Sequence, residues 1–194
     1  MAWDTAATKQ KILDAALEEF AEHGPAGTTV DRIAGRAGVN KERIYNYFGN
    51  KRALFTRVLA AESERIAGSV VFDPAHDDPV GDYAGRIFDY HTAHPELVRL
   101  LLWEGLTTPD EVVDEAARAE YYRAKVERFA EAQANGVLRD DLTPGVLLFS
   151  IMALAAWWHA APHIARMATG TGRADTAQRR AAVMTAARHL ATET

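Results

Sequence analysis

Cysteine is absent from all 194 residues. That excludes disulfides, thiolate metal sites and cysteine nucleophiles together, and it suits a reducing compartment such as the cytoplasm. No apolar run reaches the roughly 20 residues needed to cross a bilayer. The most apolar stretch, Val146 to Ala161, is interrupted by Ser150 and His159 and stops at Pro162. Met1 to Lys11 is polar and has no apolar segment of signal-peptide length. Strand-like alternation, internal repeats and low-complexity segments are also missing. There is no phosphate-binding glycine loop, no nucleophile elbow, no zinc motif and no recognisable pair of catalytic carboxylates. The expectation is therefore no catalytic residue, no cofactor and no metal. His159 and His163 stand four apart, as metal ligands on one helix face do, but Pro162 lies between them and no third ligand follows.

The chain also lacks a strong excess of positive charge. The net charge of −5 argues against nucleic acid until its distribution is considered. Residues 1–60 hold nine Lys/Arg against seven Asp/Glu, and residues 61–194 hold thirteen against twenty. A surface facing phosphates must lie in the first part.

What is there is helical period almost everywhere. Ile12, Ala16 and Phe20, with Leu13 and Leu17 beside them, form one apolar stripe over Lys9 to His23. Gly24-Pro25 is read as its stop, with the glycine in a left-handed cap. Thr28 and Thr29 open a short second helix, and Thr28 with Asp31 makes a capping-box-like pair. Ala37-Gly38-Val39 is the break. Asn40 is placed as the N-cap of a third helix, Lys41 to Phe48, which Gly49-Asn50 ends. A longer helix follows from Lys51 to about Val70, then a loop from Phe72 to Val80. Further helices are expected over Val80–His94, Pro95–Leu106, Asp110–Asn135, Leu142–Ala161 and Asp175–Ala191. Pro95, Pro109 and Pro144 sit near helix starts, where a missing N–H does no harm. Asn135-Gly136 and Gly170-Thr171-Gly172 read as stops.

Two short helices joined by a three-residue turn containing glycine define a helix-turn-helix. Ala34 is small where the helices cross. Gly38 falls in the turn, where positive φ is needed. Ile44 faces inward on the second helix, with Val39 closing the corner. Lys41, Glu42, Arg43, Tyr45 and Asn46 then point outward. Arg and Lys can reach guanine acceptors, and Asn or Tyr can bond base edges or phosphate. Asn40, at the helix start, joins this group, since the N-terminal end of such a helix enters the major groove. Lys51, Thr28 and Thr29 lie at helix starts, where side chains and unpaired N–H groups together hold a phosphate.

These residues carry a resemblance. From Lys11 to Phe55 the chain resembles the DNA-binding domain of the tetracycline-repressor (TetR) family. It does so through Ile12-Leu13-Asp14-Ala15-Ala16, Phe20-Ala21-Glu22-His23-Gly24, Thr28-Thr29-Val30, Ile33-Ala34, Ala37-Gly38-Val39, Ile44-Tyr45-Asn46-Tyr47-Phe48 and Lys51. The run Tyr-x-Tyr-Phe-x-x-Lys is the most diagnostic part. The resemblance implies that Tyr47, Lys51 and Thr29 touch phosphates and that Lys41, Arg43 and Tyr45 face bases or nearby phosphates. Glu42 and Arg43 depart from the small residues usual at those places, which leaves base preference open. Beyond this stretch only the layout matches: an all-helical C-terminal domain that dimerises and often binds a small effector.

The chain is thus expected to be all-α. A three-helix DNA-binding domain occupies residues 1–50, a connecting helix 51–70, and a larger effector-binding and dimerisation domain 71–194. The helix Leu142–Ala161 is apolar nearly all round and needs cover on two sides. Ala153 and Trp157, with Ala177, Ala181 and Met184 of the last helix, are candidates for a two-fold dimer interface. Phe88, His91, Trp103, Tyr122, Ser150, Leu154 and Trp158 are candidates for an effector pocket, apolar with a few polar groups. The expected function is a DNA-binding transcription regulator, a dimeric repressor released from a palindromic double-stranded operator by a small molecule. The alternatives are a helix-turn-helix regulator without a small ligand, or a helical ligand carrier or enzyme.

Overall fold

The computed structural model describes residues 5–107, 115–170, 172 and 175–192, with the side chain of Ala117 aside. Pro109, the start of the helix expected from Asp110, and Thr171 lie outside the described residues. The helices are α1 (Thr5–Gly27), α2 (Val30–Ala37), α3 (Lys41–Phe48), α4 (Lys51–Ser69), α5 (Pro79–Ala93), α6 (Pro95–Thr107), α7 (Glu115–Ala134), α8 (Pro144–Ala160), α9 (Pro162–Thr169) and α10 (Thr176–Ala191). They divide into two compact units. One comprises Met1–Arg65 with Glu96–Asp114, and the other Ile66–Pro95 with Glu115–Thr194. By these contacts α6 groups with the N-terminal helices.

The first unit is built on the stripe read from the sequence. Ile12, Ala16 and Phe20 of α1, Ile33 of α2, Ile44 of α3 and Leu54 of α4 are wholly buried. Phe20 meets Phe55 edge to face at 5.2 Å. Each of the Ile, Leu and Phe side chains contributes about 1.5–3 kcal/mol by leaving water. The end of α1 differs from expectation. Gly24 has φ 67° and ψ 172°, positive but not a left-handed cap, and one more helical turn follows it. A Cβ on Gly24 would lie 2.7–2.8 Å from the indole of Trp103, so the glycine serves backbone and packing at once. Trp103, expected in an effector pocket, is thereby accounted for inside this unit.

In the second unit α5 packs on α8 and α10, and α8 also packs on α7. The core is Tyr83, Ile87, Phe88, Phe129, Leu147, Ile151, Val183 and Ala187. Asp78 caps α5 by accepting from the Gly81 N–H, and the same carboxylate takes Arg188 of α10 at 2.6 Å. Arg180 binds Asp89 at 2.8 Å, close to Gly85, where a Cβ would come within 3.2 Å of Met184. Met184 also accepts from Arg180 at 3.0 Å. It therefore packs within its own unit, whereas Ala177 and Ala181, placed with it at an interface, are exposed.

The helix α9 was not foreseen. Pro162 reads as a stop, but it occupies the first turn of a new helix bent 93° from α8. The bend also leaves His159 and His163 on different helices. Among the described residues no group of three or more His, Cys, Asp or Glu is placed to hold a metal ion, and no single helix is long and apolar enough to cross a membrane.

Candidate nucleic-acid interface

The turn between α2 and α3 forms as its residues require. Gly38 has φ 64° and ψ 35°, and its N–H and that of Val39 return to the last carbonyls of α2, with Val39 bonded to Ala34 at 3.1 Å. A Cβ on Gly38 would meet nothing within 4 Å. The glycine is needed for its left-handed backbone and not for space. Asn40 sits at the N-cap of α3 in extended backbone, but its side chain makes no cap bond.

The start of α2 departs from the expected capping box. The cap is Thr29, whose hydroxyl accepts from the Arg32 N–H at 3.3 Å. Thr28 is fully buried, and its hydroxyl donates to the Glu19 carbonyl at 3.0 Å. Its side chain is thus withdrawn from any phosphate, a correction to its placement among contact residues. The Thr28 carbonyl has another role, accepting Lys51 Nζ at 2.7 Å. Lys51 is held at the start of α2, beside Thr29. Asn50, read only as the end of α3, also caps α4 by accepting from the Ala53 N–H at 2.9 Å.

A charge arrangement that the sequence reading missed fixes α2 on α1. Glu19 has a buried carboxylate 3.0 Å from Arg32 Nε and 2.8 Å from Arg36 Nη2, and Arg36 also reaches Glu18. Hydrogen bonds to Glu19 and then Glu18 raise the Arg36 pKa above its ordinary value. Spacing alone hinted at this, since Glu19 interrupts the apolar face of α1 next to Phe20.

Outward from this frame stand Lys41, Glu42, Tyr45 and Asn46, all exposed, with Arg43 and Tyr47 half-buried. Lys41 lies 3.3 Å from Asp31 of α2. The hydrogen bond to Asp31 raises its pKa. In an exposed pair this is readily exchanged for a stronger anion. The Tyr47 ring carries the Lys9 ammonium 5.5 Å from its centroid. The face is therefore a short helix with two cations, a phenol, an amide and the Glu42 carboxylate directed outward, beside a lysine fixed at a neighbouring helix start. This is equipment for phosphates and base edges.

The C-terminal candidates do not form one group. Ser150, Leu154 and Trp158 line an open cleft of about 960 Å³ between α8, α9 and α10, together with Ala153 and Trp157. Residues expected in two different places thus share one apolar surface, and Ser150 donates to the Val146 carbonyl of its own helix. Trp157 is 58% exposed and Phe149 72%. Phe88 and His91 are buried in the core instead. The His159 ring lies 5.1 Å from Phe88 and 5.9 Å from His91. Burial, with His159 nearby, pushes His91 down to about 4. Burial and then the charge of Arg179 also lower His159, against a hydrogen bond with the Phe88 backbone. Tyr122 is half-buried beside Tyr121, ring centroids 5.4 Å apart. The Lys125 ammonium lies 4.7 Å from the Tyr121 centroid, and burial lowers its pKa to about 8.

Comparison with known proteins follows the same two-part division. Residues 12–58 match the profile of bacterial regulatory proteins of the tetR family, and residues 79–189 match the tetracyclin repressor-like C-terminal domain. The chain is 43% identical over 188 residues to the HTH-type transcriptional repressor SCO4008 of Streptomyces coelicolor, covering 96% of each chain. The crystal structure of the transcriptional regulator SCO4942 from Streptomyces coelicolor superposes with a TM-score of 0.82 at 36% identity, covering 95% of this chain and 98% of that one. AibR, in complex with isovaleryl coenzyme A and operator DNA, shares the fold with a TM-score of 0.68 at 17% identity, over 91% of this chain and 96% of that one.

Proposed function

Because this chain belongs to the tetR family of bacterial regulatory proteins, we propose that it is a dimeric transcriptional repressor that binds a palindromic operator and leaves it when a small effector binds. One observation carries the reading. The exposed face of α3 presents Lys41, Arg43, Tyr45 and Asn46 while Lys51 is fixed at the start of α2. Placed in a major groove, α3 offers bidentate donors to guanine and an amide to adenine, and Thr29, Tyr47 and Lys51 fall to the flanking phosphates. The repressor role takes support from the relative SCO4008, named for that activity.

The dimer takes support from α8. Val146, Phe149 and Trp157 leave a large apolar surface in water, which a second copy would cover. Two recognition helices related by a two-fold axis read half-sites roughly 34–36 Å apart. An effector would act by favouring one separation of those helices over another. AibR, whose structure holds both a small ligand and operator DNA, lends the effector reading support on the same fold. The protein acts by binding, with no turnover, where the DNA is, in the cytoplasm.

Selection of bound sequences from a random double-stranded pool tests this. The expected result is a palindrome with half-sites about one helical turn apart. Enrichment of a single half-site would remove the dimer, and no enrichment at low salt from folded protein would remove the DNA-binding reading.

A further inference from the structure

Helices α5 and α7 bring four tyrosines into the C-terminal unit: Tyr83 and Tyr90 from the first, Tyr121 and Tyr122 from the second. Tyr83 is 1% exposed, in a wall of rings with Phe72 at 5.6 Å and Phe129 at 5.8 Å. Its hydroxyl oxygen is buried and has no hydrogen-bond partner among the described residues, and the same is true of the Tyr121 hydroxyl. Phe72, beside Tyr83, lines a cavity of about 140 Å³ together with Tyr121, and the Tyr121 phenol lies close enough to feel those of Tyr83, Tyr122 and Tyr90, so these rings lie in one region. Burial is the first cause that holds both firmly protonated, as donors. Arg86, the cation that acts on Tyr83, already lies on Asp82 and on the carbonyls of Val71 and Ser69. Lys125 faces the ring of Tyr121.

Phenylalanine would fill the same volume at both positions without desolvating a hydroxyl. A buried donor without a partner is unfavourable, and its replacement by an apolar group of the same shape is neutral or stabilising. Two such donors in one aromatic region, with no carboxylate among the described groups acting on them, suit a flat apolar guest that brings a lone pair. We propose that Tyr83 and Tyr121 are the polar wall of the effector site and hold an aromatic compound by donating hydrogen bonds to a heteroatom at its edge. The proposal rests on the effector reading given above. It adds the class of ligand, and it moves the polar contacts away from His91 and Ser150 to Tyr83 and Tyr121.

The test uses the full-length protein and the variants Tyr83→Phe, Tyr121→Phe and both together, with two pairs of probes. 9-Fluorenone and benzophenone carry a carbonyl, whereas fluorene and diphenylmethane have the same rings with a methylene in its place. Without ligand, the variants should melt at or above the wild-type temperature. Wild type should bind each ketone about tenfold more tightly than its hydrocarbon, the worth of one good hydrogen bond. The double variant should bind the two members of a pair equally. The carbonyl stretch of bound fluorenone should move to lower frequency in wild type and return in the variants, which a merely structural hydroxyl would not cause. Equal binding of ketone and hydrocarbon by wild type, binding of neither ketone, or ketone binding unchanged in the double variant would overturn the proposal. So would variants that melt well below wild type, because the hydroxyls would then serve the fold's own network. Ketone binding with the frequency shift but no release of the selected operator would leave the phenol site standing and remove the effector reading instead.

Discussion

Buried polar groups of the N-terminal unit lie against other parts of that unit. The Glu19 carboxylate lies between Arg32 and Arg36, the Thr28 hydroxyl bonds the end of α1, and Lys51 meets the Thr28 carbonyl. Its unmatched chemistry, Tyr45 and Asn46 with the readily exchanged Lys41, faces water. The C-terminal unit is arranged in the opposite sense. Its surface cations Arg180 and Arg188 are paired with Asp89 and Asp78, while Nδ1 of His91 and the hydroxyls of Tyr83 and Tyr121 are buried without hydrogen-bond partners among the described residues. A surface that reads a polymer must hold its donors outward on a fixed frame. A unit that senses a small molecule must hold them inward, at some cost in stability.

The sharpest way to break this contrast is to put charge on the exposed apolar face of α8. Trp157→Glu should leave the fold intact, since the side chain is mostly in water, but separate the two copies in sedimentation. Loss of the linked second half-site should weaken operator binding on the order of 10²–10⁴-fold. An unchanged sedimentation coefficient would remove this face from the proposed dimer interface. The next largest effect concerns His91. The unfolded chain takes up a proton near pH 6.5 and the folded protein only near 4. This contribution to stability is full above pH 6.5 and is lost as pH falls toward 4, by roughly 3 kcal/mol. Urea unfolding of His91→Asn at pH 7 and at pH 4.5 should show a clearly smaller difference than wild type, and an equal difference would mean that His91 is charged inside the fold.

In the N-terminal unit, Gly24→Ala should destabilise by about 2 kcal/mol, through positive φ and contact with the Trp103 ring together. Adding Trp103→Leu should return the contact part and not the backbone part, which a double-mutant cycle in denaturant would separate. The smallest effects test the reading face. Lys51→Ala should weaken binding to all sequences alike and flatten the salt slope by about one, while Arg43→Ala should change which bases are selected. Equal loss on every sequence for Arg43→Ala would assign that residue to the backbone.

The same contrast decides how much could be read in advance. The reading unit was legible because its constraints are local. An apolar period of 3.6, a glycine in left-handed backbone at the turn and Ile44 inward are all properties of neighbouring residues. Even there, two adjacent threonines hid which one caps α2, because only the tertiary position of the Glu19 carbonyl tells them apart. Trp103 could not be matched to Gly24, since nothing along the chain links an indole on α6 to a backbone kink in α1. A proline that can end one helix or begin the next concealed α9. Tyr83 and Tyr121 were indistinguishable from ordinary core aromatics. Whether a buried hydroxyl finds a partner is settled only when distant helices meet.

Lys51 carries one more consequence, in the currency of motion. A lysine on an open surface samples many rotamers and loses up to about 2 kcal/mol of entropy when a ligand fixes it. Here the side chain is already held by the Thr28 carbonyl, so that ordering took place during folding. In the proposed complex, a phosphate arriving at the start of α2 would meet a charge already held in place, and the complex should form with less entropic opposition than the same contact made by a freely rotating lysine.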